Sequence, residues 1–104
     1  MALKLPKKIP ALYATDGKPF DEKIIHARLF ALGSAATWLI AEYDPEDKIA
    51  FGYANLGDPT CAEWGYVSIE ELEELKYGPI PRIELDKHFT PKKFKDCISA
   101  DGRI

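Results

Sequence analysis

The segment that begins at Arg82 alternates polar and apolar residues in a way that could support catalysis. Every second side chain of an extended strand lies on the same face, which here would hold Arg82, Glu84, Asp86 and His88. A carboxylate beside an imidazole can orient it and hold its proton for general acid–base chemistry. Glu84, Asp86 and His88 are therefore candidate catalytic residues of a small hydrolase. The alternative is a solvated edge strand with ion pairs worth about 0–1 kcal/mol each.

The carboxylates of Glu42 and Asp44 are candidate ligands for a hard cation. They share a face at an i, i+2 spacing, and together with Glu84 and Asp86 they could supply the oxygen ligands that Mg²⁺ takes in a nuclease. The competing interpretation makes Asp44 a turn former before Pro45. The chain has no close pair of cysteine or histidine ligands and no glycine-rich nucleotide-binding pattern, so neither zinc nor a cofactor is expected.

Aromatic residues are concentrated in the predicted strands, and some of them are candidates for binding. A four-stranded sheet cannot bury all of them, so some must be partly exposed. Tyrosine and tryptophan are typical of protein-binding hot spots and of surfaces that stack single-stranded nucleic acid. The candidate binding residues are Trp38, Tyr43, Trp64, Tyr66 and Arg82.

Charge is distributed unevenly along the chain, whose net charge is −3. Residues 41–76 carry ten acidic residues against two lysines, a net charge of −8, which leaves +5 for the rest. This asymmetry favours steering of a charged partner or self-association, although a solvated acidic helix between basic termini also explains it. If the two ends of the chain meet, a basic patch for nucleic acid would form from Lys4, Lys7, Lys8, Lys87, Lys92, Lys93 and Lys95.

The elements that must position these residues are mostly strands. Period-two alternation and β-branched or aromatic residues predict strands at residues 25–32, 37–43, 49–54 and 64–67, with a fifth edge strand or an extended return at 82–86. Gly52 predicts a bulge or a close backbone approach. Short polar turns between the strands favour an antiparallel meander.

Helices are predicted at three places. Ser68 and Glu71 form a capping box that starts one helix, which runs to Lys76. Thr90-Pro91 has the N-cap and first-turn signature of a second helix, and the segment before residue 13 is compatible with a short helix or an extended arm. The expected fold is α+β: a four- or five-stranded antiparallel sheet flanked by two or three short helices, in a single domain over residues 1–104.

The chain has features of an unexported protein. Its longest apolar stretch, residues 35–41, is far short of the roughly 20 residues that a spanning helix needs. No apolar segment typical of a signal peptide follows the basic N-terminus. Cys61 and Cys97 are therefore expected as free thiols in the cytoplasm, and the alternative is a disulfide between them, since their separation in sequence does not fix their distance.

Over residues 5–94 the chain resembles a family of small bacterial proteins, many from plasmids and other mobile elements, that is known as domain of unknown function 2958. The resemblance lies in Pro10-Ala11-Leu12-Tyr13-Ala14-Thr15, Thr37-Trp38, Glu42-Tyr43-Asp44, Phe51-Gly52, Glu63-Trp64-Gly65-Tyr66-Val67-Ser68, Glu71-Leu72, Pro81-Arg82-Ile83-Glu84-Leu85-Asp86 and His88-Phe89. The resemblance implies a bacterial cytoplasmic protein and allows an accessory role on mobile DNA. It implies no particular activity.

These observations favour a non-enzymatic protein-interaction or regulatory module. The charge asymmetry, the surplus of aromatic residues and the lack of a recognisable reactive constellation all support it. Two alternatives remain open: a nucleic-acid-binding protein that uses the terminal lysines, and a small hydrolase or nuclease that uses Glu84, Asp86 and His88.

Overall fold

The computed structural model of the chain describes residues 3, 5–57, 62–77 and 80–98. Nine strands and one α-helix follow one another along these residues: β1 (Ile24–Ile25), β2 (Ala27–Ala31), β3 (Thr37–Asp44), β4 (Ile49–Asn55), β5 (Glu63–Ser68), α1 (Ile69–Glu74), β6 (Lys76–Tyr77), β7 (Ile80–Pro81), β8 (Ile83–Leu85) and β9 (Lys92–Lys93). Single 3₁₀ turns at Phe20–Glu22 and Phe94–Asp96 complete the described elements.

The centre of the structure is a five-stranded antiparallel sheet in the order β5-β4-β3-β2-β8. Strands β2 to β5 are a meander in which each strand pairs with the next, and β8 returns to pair with the free side of β2. Two small two-stranded sheets, β1 with β9 and β6 with β7, lie beside it. Strands β5 and β8 are thus the two edges of the main sheet.

The predicted α+β class with two or three flanking helices is wrong, because the described residues are mostly β and hold one short α-helix. Ser68 does cap that helix, since its Oγ accepts a hydrogen bond from the Glu71 N–H at 3.2 Å. The helix nevertheless ends at Glu74, where Leu75 turns extended and its carbonyl accepts a hydrogen bond from the Arg82 N–H at 2.9 Å. Pairing with the returning chain therefore replaces further helical turns.

The helix predicted from Thr90-Pro91 is absent from the described residues for a similar reason. After Thr90-Pro91 the chain forms β9, which pairs with β1, and then a single 3₁₀ turn. The Phe94 N–H donates to the Lys23 carbonyl at 2.8 Å, so this segment is fixed by pairing with a distant strand. The described residues before Tyr13 form turns and irregular backbone.

Apolar side chains cover both faces of the sheet. The face beneath α1, called the helix face here, is built around the buried side chains Leu29, Trp38, Ile40, Ile69 and Leu72. The opposite face, called the aromatic face, is built around Ile25, Leu39, Ala41, Tyr53 and Phe94. Among the described residues no helix has the length and apolar character that crossing a membrane requires.

A bulge in β3 changes which face its last residues occupy. The register with β4 shifts between Ile40, which pairs with Gly52, and Glu42, which pairs with Phe51. Without the shift Glu42 would follow Ile40 onto the helix face, whereas the bulge places it on the aromatic face. Gly52 is the close backbone approach at this point, since a Cβ there would overlap the carbonyl oxygen of Leu39 and lie 2.9 Å from its carbon.

Candidate functional site

Five aromatic rings contact one another in series on the aromatic face, and we call this set, Tyr13, Phe20, Phe51, Trp64 and Tyr66, the aromatic surface. The ring centroids of Tyr13 and Tyr66 are 6.3 Å apart, and those of Tyr66 and Phe51 are 5.1 Å apart. Phe51 stacks on Trp64 at 5.5 Å, and Trp64 stacks on Phe20 at 4.8 Å. The rings therefore form one continuous patch.

The outer rings of this patch are open to solvent. Tyr13 is 62 % exposed, Phe20 50 % and Tyr66 56 %. Contiguous exposed rings of this kind mark interaction sites on protein surfaces more often than scattered apolar residues do. The inner side of the patch is part of the core, because Trp64 also contacts the buried ring of Phe94 at 4.8 Å.

The strand register explains why these rings meet. Phe51 pairs with Tyr66, and Tyr53 pairs with Trp64, in the antiparallel ladder between β4 and β5. Directly opposite residues share a face and bring their Cβ atoms to about 4.5–5.5 Å, so aromatic cross-strand pairs form. Tyr13 and Phe20 lie outside the sheet, in the segment before β1. Their rings pack against Tyr66 and Trp64 of β5.

A buried polar network anchors the loop that carries Tyr13. The carboxylate of Glu42, only 2 % exposed, accepts hydrogen bonds from the Tyr13 N–H at 2.8 Å and the Thr15 N–H at 3.0 Å, and a third from the Thr15 hydroxyl. The ammonium of Lys23, 3 % exposed, donates to the Thr15 carbonyl at 2.6 Å and to its hydroxyl at 2.8 Å. Glu42 and Lys23 thus hold the loop from opposite sides through Thr15.

The same network reaches the rings themselves. The Lys23 ammonium lies 5.8 Å from the centroid of Phe20 and 5.9 Å from that of Phe51, within cation–π range. Tyr13 has a φ of 71°, a left-handed conformation that a bulky residue adopts only when its surroundings hold it there. The fixed loop places the Tyr13 ring beside Tyr66.

Tyr13 and Tyr66 also interact through their polar groups. A side-chain hydrogen bond with Tyr13 raises the pKa of Tyr66, and desolvation and the nearby carboxylate of Asp16 act in the same direction. Tyr66 therefore stays protonated at neutral pH. Asp16 is exposed, so the solvent side of the aromatic surface has a carboxylate at its margin.

The structure places the three candidate catalytic residues in different roles. Asp86 pairs with Arg28, whose Nη1 lies 3.2 Å from Oδ2, and its Oδ1 accepts the His88 N–H at 3.0 Å. Glu84 is exposed on the edge strand β8, opposite Phe30. His88 is exposed as well. The Asp86 carboxylate thus accepts a hydrogen bond within a turn and forms an ion pair with Arg28.

The two candidate metal ligands are also engaged in structure. Glu42 is the centre of the buried network, and Asp44 accepts the backbone N–H of Glu46 at 3.0 Å in the turn after β3. Glu84 lies level with the far end of β3, because Phe30 pairs with both Glu84 and Thr37. Thr37 is five positions, about 16 Å, from Glu42. In the part of the chain that the structure describes, no group of three or more His, Cys, Asp or Glu residues could hold a metal ion.

Two of the five candidate binding residues, Trp64 and Tyr66, belong to the aromatic surface. Trp38 is buried on the helix face, and Tyr43 is half-buried there, where burial raises the pKa of its hydroxyl. Arg82 is half-buried, and its backbone carbonyl accepts a hydrogen bond from the Leu32 N–H at 2.7 Å.

Three members of the aromatic surface, Tyr13, Phe20 and Phe51, were not among the candidate binding residues. For Tyr13 and Phe20 the available signal is position: both lie near the turn residues Asp16 and Gly17, outside any predicted strand. Aromatic residues in such segments are more exposed than those in central strands.

The candidate lysines are distributed over both faces. Lys7 and Lys8 are exposed beside Ile9, which packs on the helix face, whereas β9 and the turn after it cover the aromatic face. Lys93 and Lys95 both pair with Glu22, at 2.8 and 3.2 Å, and the hydrogen bond from Lys93 is the largest of the effects that lower the pKa of Glu22. Lys87 is exposed, Lys92 lies over the ring of Phe89, and Lys4 is outside the described residues.

Cys97 is not one of the residues of the aromatic surface. Cys97 is a free thiol whose pKa is raised by burial, which makes it less reactive than an exposed cysteine. Cys61 lies outside the described residues.

Comparison with known proteins identifies a family that the chain matches. A family model described as "Protein of unknown function (DUF2958)" matches residues 12–99, a range that contains the whole aromatic surface. No curated protein and no solved structure matches the chain.

Proposed function

Because the chain belongs to the family of proteins of unknown function DUF2958, we propose its function from the site itself: it is a non-enzymatic protein-interaction module that binds its partner through the aromatic surface. We place the module in the cytoplasm, where the free thiol of Cys97 would stay reduced.

The observation that carries this proposal is the series of exposed rings at Tyr13, Phe20 and Tyr66. Each is at least half exposed, and all three are in contact with the core through Phe51 and Trp64. Complete burial of a large apolar side chain contributes about 1.5–3 kcal/mol, so covering the exposed halves of three rings would contribute on the order of 3 kcal/mol. Rigid rings that are already held in place lose little conformational entropy on binding.

The two alternative functions have less support from the geometry. A hydrolase would need Asp86 free to work with His88, but its carboxylate is paired with Arg28. A nucleic-acid site would need uncompensated lysines on one face, and Lys93 and Lys95 share the carboxylate of Glu22. Both alternatives remain distinguishable outcomes of the experiment below.

The test is affinity capture from the native cytoplasm, with and without nuclease, using the wild-type chain and two matched variants. Tyr66→Ser removes a ring of the aromatic surface, whereas Leu56→Ser removes another large exposed hydrophobic side chain, which is 70 % exposed in the loop after β4. We expect a stoichiometric protein that survives nuclease, that the Leu56 variant retains and that the Tyr66 variant loses.

Three results would contradict the proposal. Capture that disappears with nuclease would favour nucleic acid, and equal capture by both variants would place binding elsewhere on the chain. Recovery of the chain alone would leave an enzyme or a self-associating protein as the better interpretation. Equal urea stability of the two variants is the control that separates lost binding from lost folding.

A further inference from the structure

Strand β5 is an edge strand. It exposes backbone N–H and C=O groups beside the rings of Trp64 and Tyr66. Within the described residues β5 pairs only with β4. In an antiparallel ladder, opposed residues alternate between pairs that exchange hydrogen bonds and pairs that do not. The Ile69 N–H donates to the Lys48 carbonyl at 2.9 Å, so by this alternation Val67 and Gly65 bond to β4. The N–H and C=O groups of Trp64 and Tyr66 therefore face away from the sheet.

This edge lacks the usual protection against strand addition. Natural edge strands are commonly blunted by shortness, lysine, proline or a bulge. The opposite edge, β8, is only three residues long, whereas β5 is six residues long and contains no lysine or proline. Its register with β4 is regular from Glu63 to Ser68. An extended segment could pair along its whole length.

The chemistry of the partner follows from charge. Between residues 49 and 75 the chain has six acidic residues and no lysine or arginine. Glu63 is exposed on β5 itself, Glu70 is exposed at the start of α1, and the charge of Asp16 is close enough to Tyr66 to help raise the pKa of its hydroxyl. A second copy of the chain would bring like charges together at this edge, whereas a basic segment would meet opposite charges and exposed rings that attract cations.

The helix face offers a place for the alternate side chains of such a segment. Gly52 and Gly65 are paired, and a cavity of about 120 Å³ lies over them, with Trp38, Val67 and Glu63 among its lining residues. A Cβ at Gly65 would meet nothing within 4 Å. The methylene stem of a lysine or arginine could occupy this apolar space while its charged end reaches Glu63.

We propose that β5 binds an extended, lysine- or arginine-rich segment of a partner protein by strand addition, in which the segment pairs with the backbone of Trp64 and Tyr66. This inference rests on the proposed function and specifies its partner. The backbone hydrogen bonds provide affinity, and the aromatic surface and Glu63 select basic side chains.

The test is NMR titration of the ¹⁵N-labelled full chain with a peptide of alternating arginine and valine. We expect shift changes and slowed hydrogen exchange at the Trp64 and Tyr66 amides. Methylating the peptide nitrogens that would pair with β5 should weaken binding about tenfold or more, since two backbone hydrogen bonds are lost. A peptide of alternating glutamate and valine should not bind.

Two charge-reversal variants, one on β5 and one on β8, provide a second test and its matched control. Glu63→Lys should weaken binding of the basic peptide at least about fivefold, because an attraction at the edge becomes a repulsion. Glu84→Lys makes the same change in net charge on the opposite edge strand, β8, and should leave binding unchanged. Both residues are exposed, so both variants should fold.

Several outcomes would overturn the inference. They are no binding, equal binding of the acidic or N-methylated peptide, shift changes centred on β8, or β5 amide shifts that depend on protein concentration, which would indicate a second copy at the edge. If such a result accompanies capture that still depends on Tyr66, the aromatic surface binds a protein by another mode and only the strand-addition inference fails. If Tyr66-dependent capture is also absent, the proposed function itself fails.

Discussion

Replacing Glu42 by glutamine tests whether the buried network holds the loop that carries Tyr13. The two side chains have nearly the same shape, but glutamine has one acceptor oxygen and one donor nitrogen in place of two acceptor oxygens. The carboxylate accepts from two backbone N–H groups and from the Thr15 hydroxyl. In the Glu42→Gln variant the amide nitrogen must therefore face at least one of these donors.

The expected loss of stability can be worked from these contacts. A buried N–H left without an acceptor costs about 1–3 kcal/mol. The carboxylate is also the stronger acceptor, since hydrogen bonds to a charged group contribute about 1.5–3 kcal/mol against about 0.5–1.5 kcal/mol for neutral ones. Because the two effects overlap, we expect the free energy of unfolding to fall by about 2–4 kcal/mol, a large part of the roughly 5–15 kcal/mol of a typical domain.

Urea denaturation of the wild type and the variant measures this difference. The control is Glu84→Gln, the same change at an exposed position, which should shift the free energy of unfolding by less than about 0.5 kcal/mol. If Glu42→Gln does not fold, Thr15→Val is the milder variant, because it removes only the hydroxyl that joins Glu42 to Lys23. A loss of under about 1 kcal/mol for Glu42→Gln would refute the argument, since the lower bound for one orphaned donor would not be met.

Two further predictions concern the sheet and the helix. Gly52→Ala should lower the free energy of unfolding, measured in urea, by about 1–3 kcal/mol or more, because the added Cβ would overlap backbone. Gly65→Ala, at the position paired with Gly52, should change it by less than about 0.5 kcal/mol. Equal effects of the two substitutions would contradict this prediction. Burial alone would raise the pKa of Glu73, but hydrogen bonds from Lys48 and a backbone N–H outweigh it and lower that pKa. The stability that Glu73 adds is therefore present above the unfolded pKa of about 4.3 and lost as pH falls through the lower folded pKa. Glu73→Gln should lose less stability than the wild type on acidification from about pH 5 to pH 2, and an equal loss in the two proteins would contradict this.

Local sequence patterns predicted the strands well because alternation and β-branched residues act over a few neighbours. The predicted strands at 37–43 and 49–54 differ from β3 and β4 by one residue at their ends. The helix predicted after Thr90 does not form, because the conformation of this segment depends on a strand that is distant in the sequence. Two residues of that segment pair with β1, nearly 70 positions earlier in the sequence, and this pairing outweighs the local N-cap signal.

The candidate site was less accessible to sequence patterns, for two physical reasons. Strict alternation puts Glu42 on the same face as Ile40, and only the bulge in β3 moves it to the aromatic face. Tyr13 and Phe20 reach Tyr66 and Trp64 across about 50 residues of sequence, a contact that neither periodicity nor spacing encodes. Trp64 and Tyr66 could be found because their strand was predicted and they alternate along it.

The buried network raises the question of why the fold keeps two charges beneath the aromatic surface. Replacing buried charged groups, joined here only through Thr15, by well-packed apolar residues is often neutral or stabilising, so stability alone does not require Glu42 and Lys23. Their distinct effect is on the loop, because the N–H groups of Tyr13 and Thr15 have the Glu42 carboxylate as acceptor. In the double variant Lys23→Met, Glu42→Met these N–H groups would donate hydrogen bonds to water instead. We expect the double variant to be more stable than Glu42→Gln, with amides of β3 and β4 still protected from hydrogen exchange, while the Tyr13 and Thr15 amides exchange freely and capture of the partner falls. Wild-type protection of those two amides would mean that the loop is held by the rings alone and that the charges do not position Tyr13.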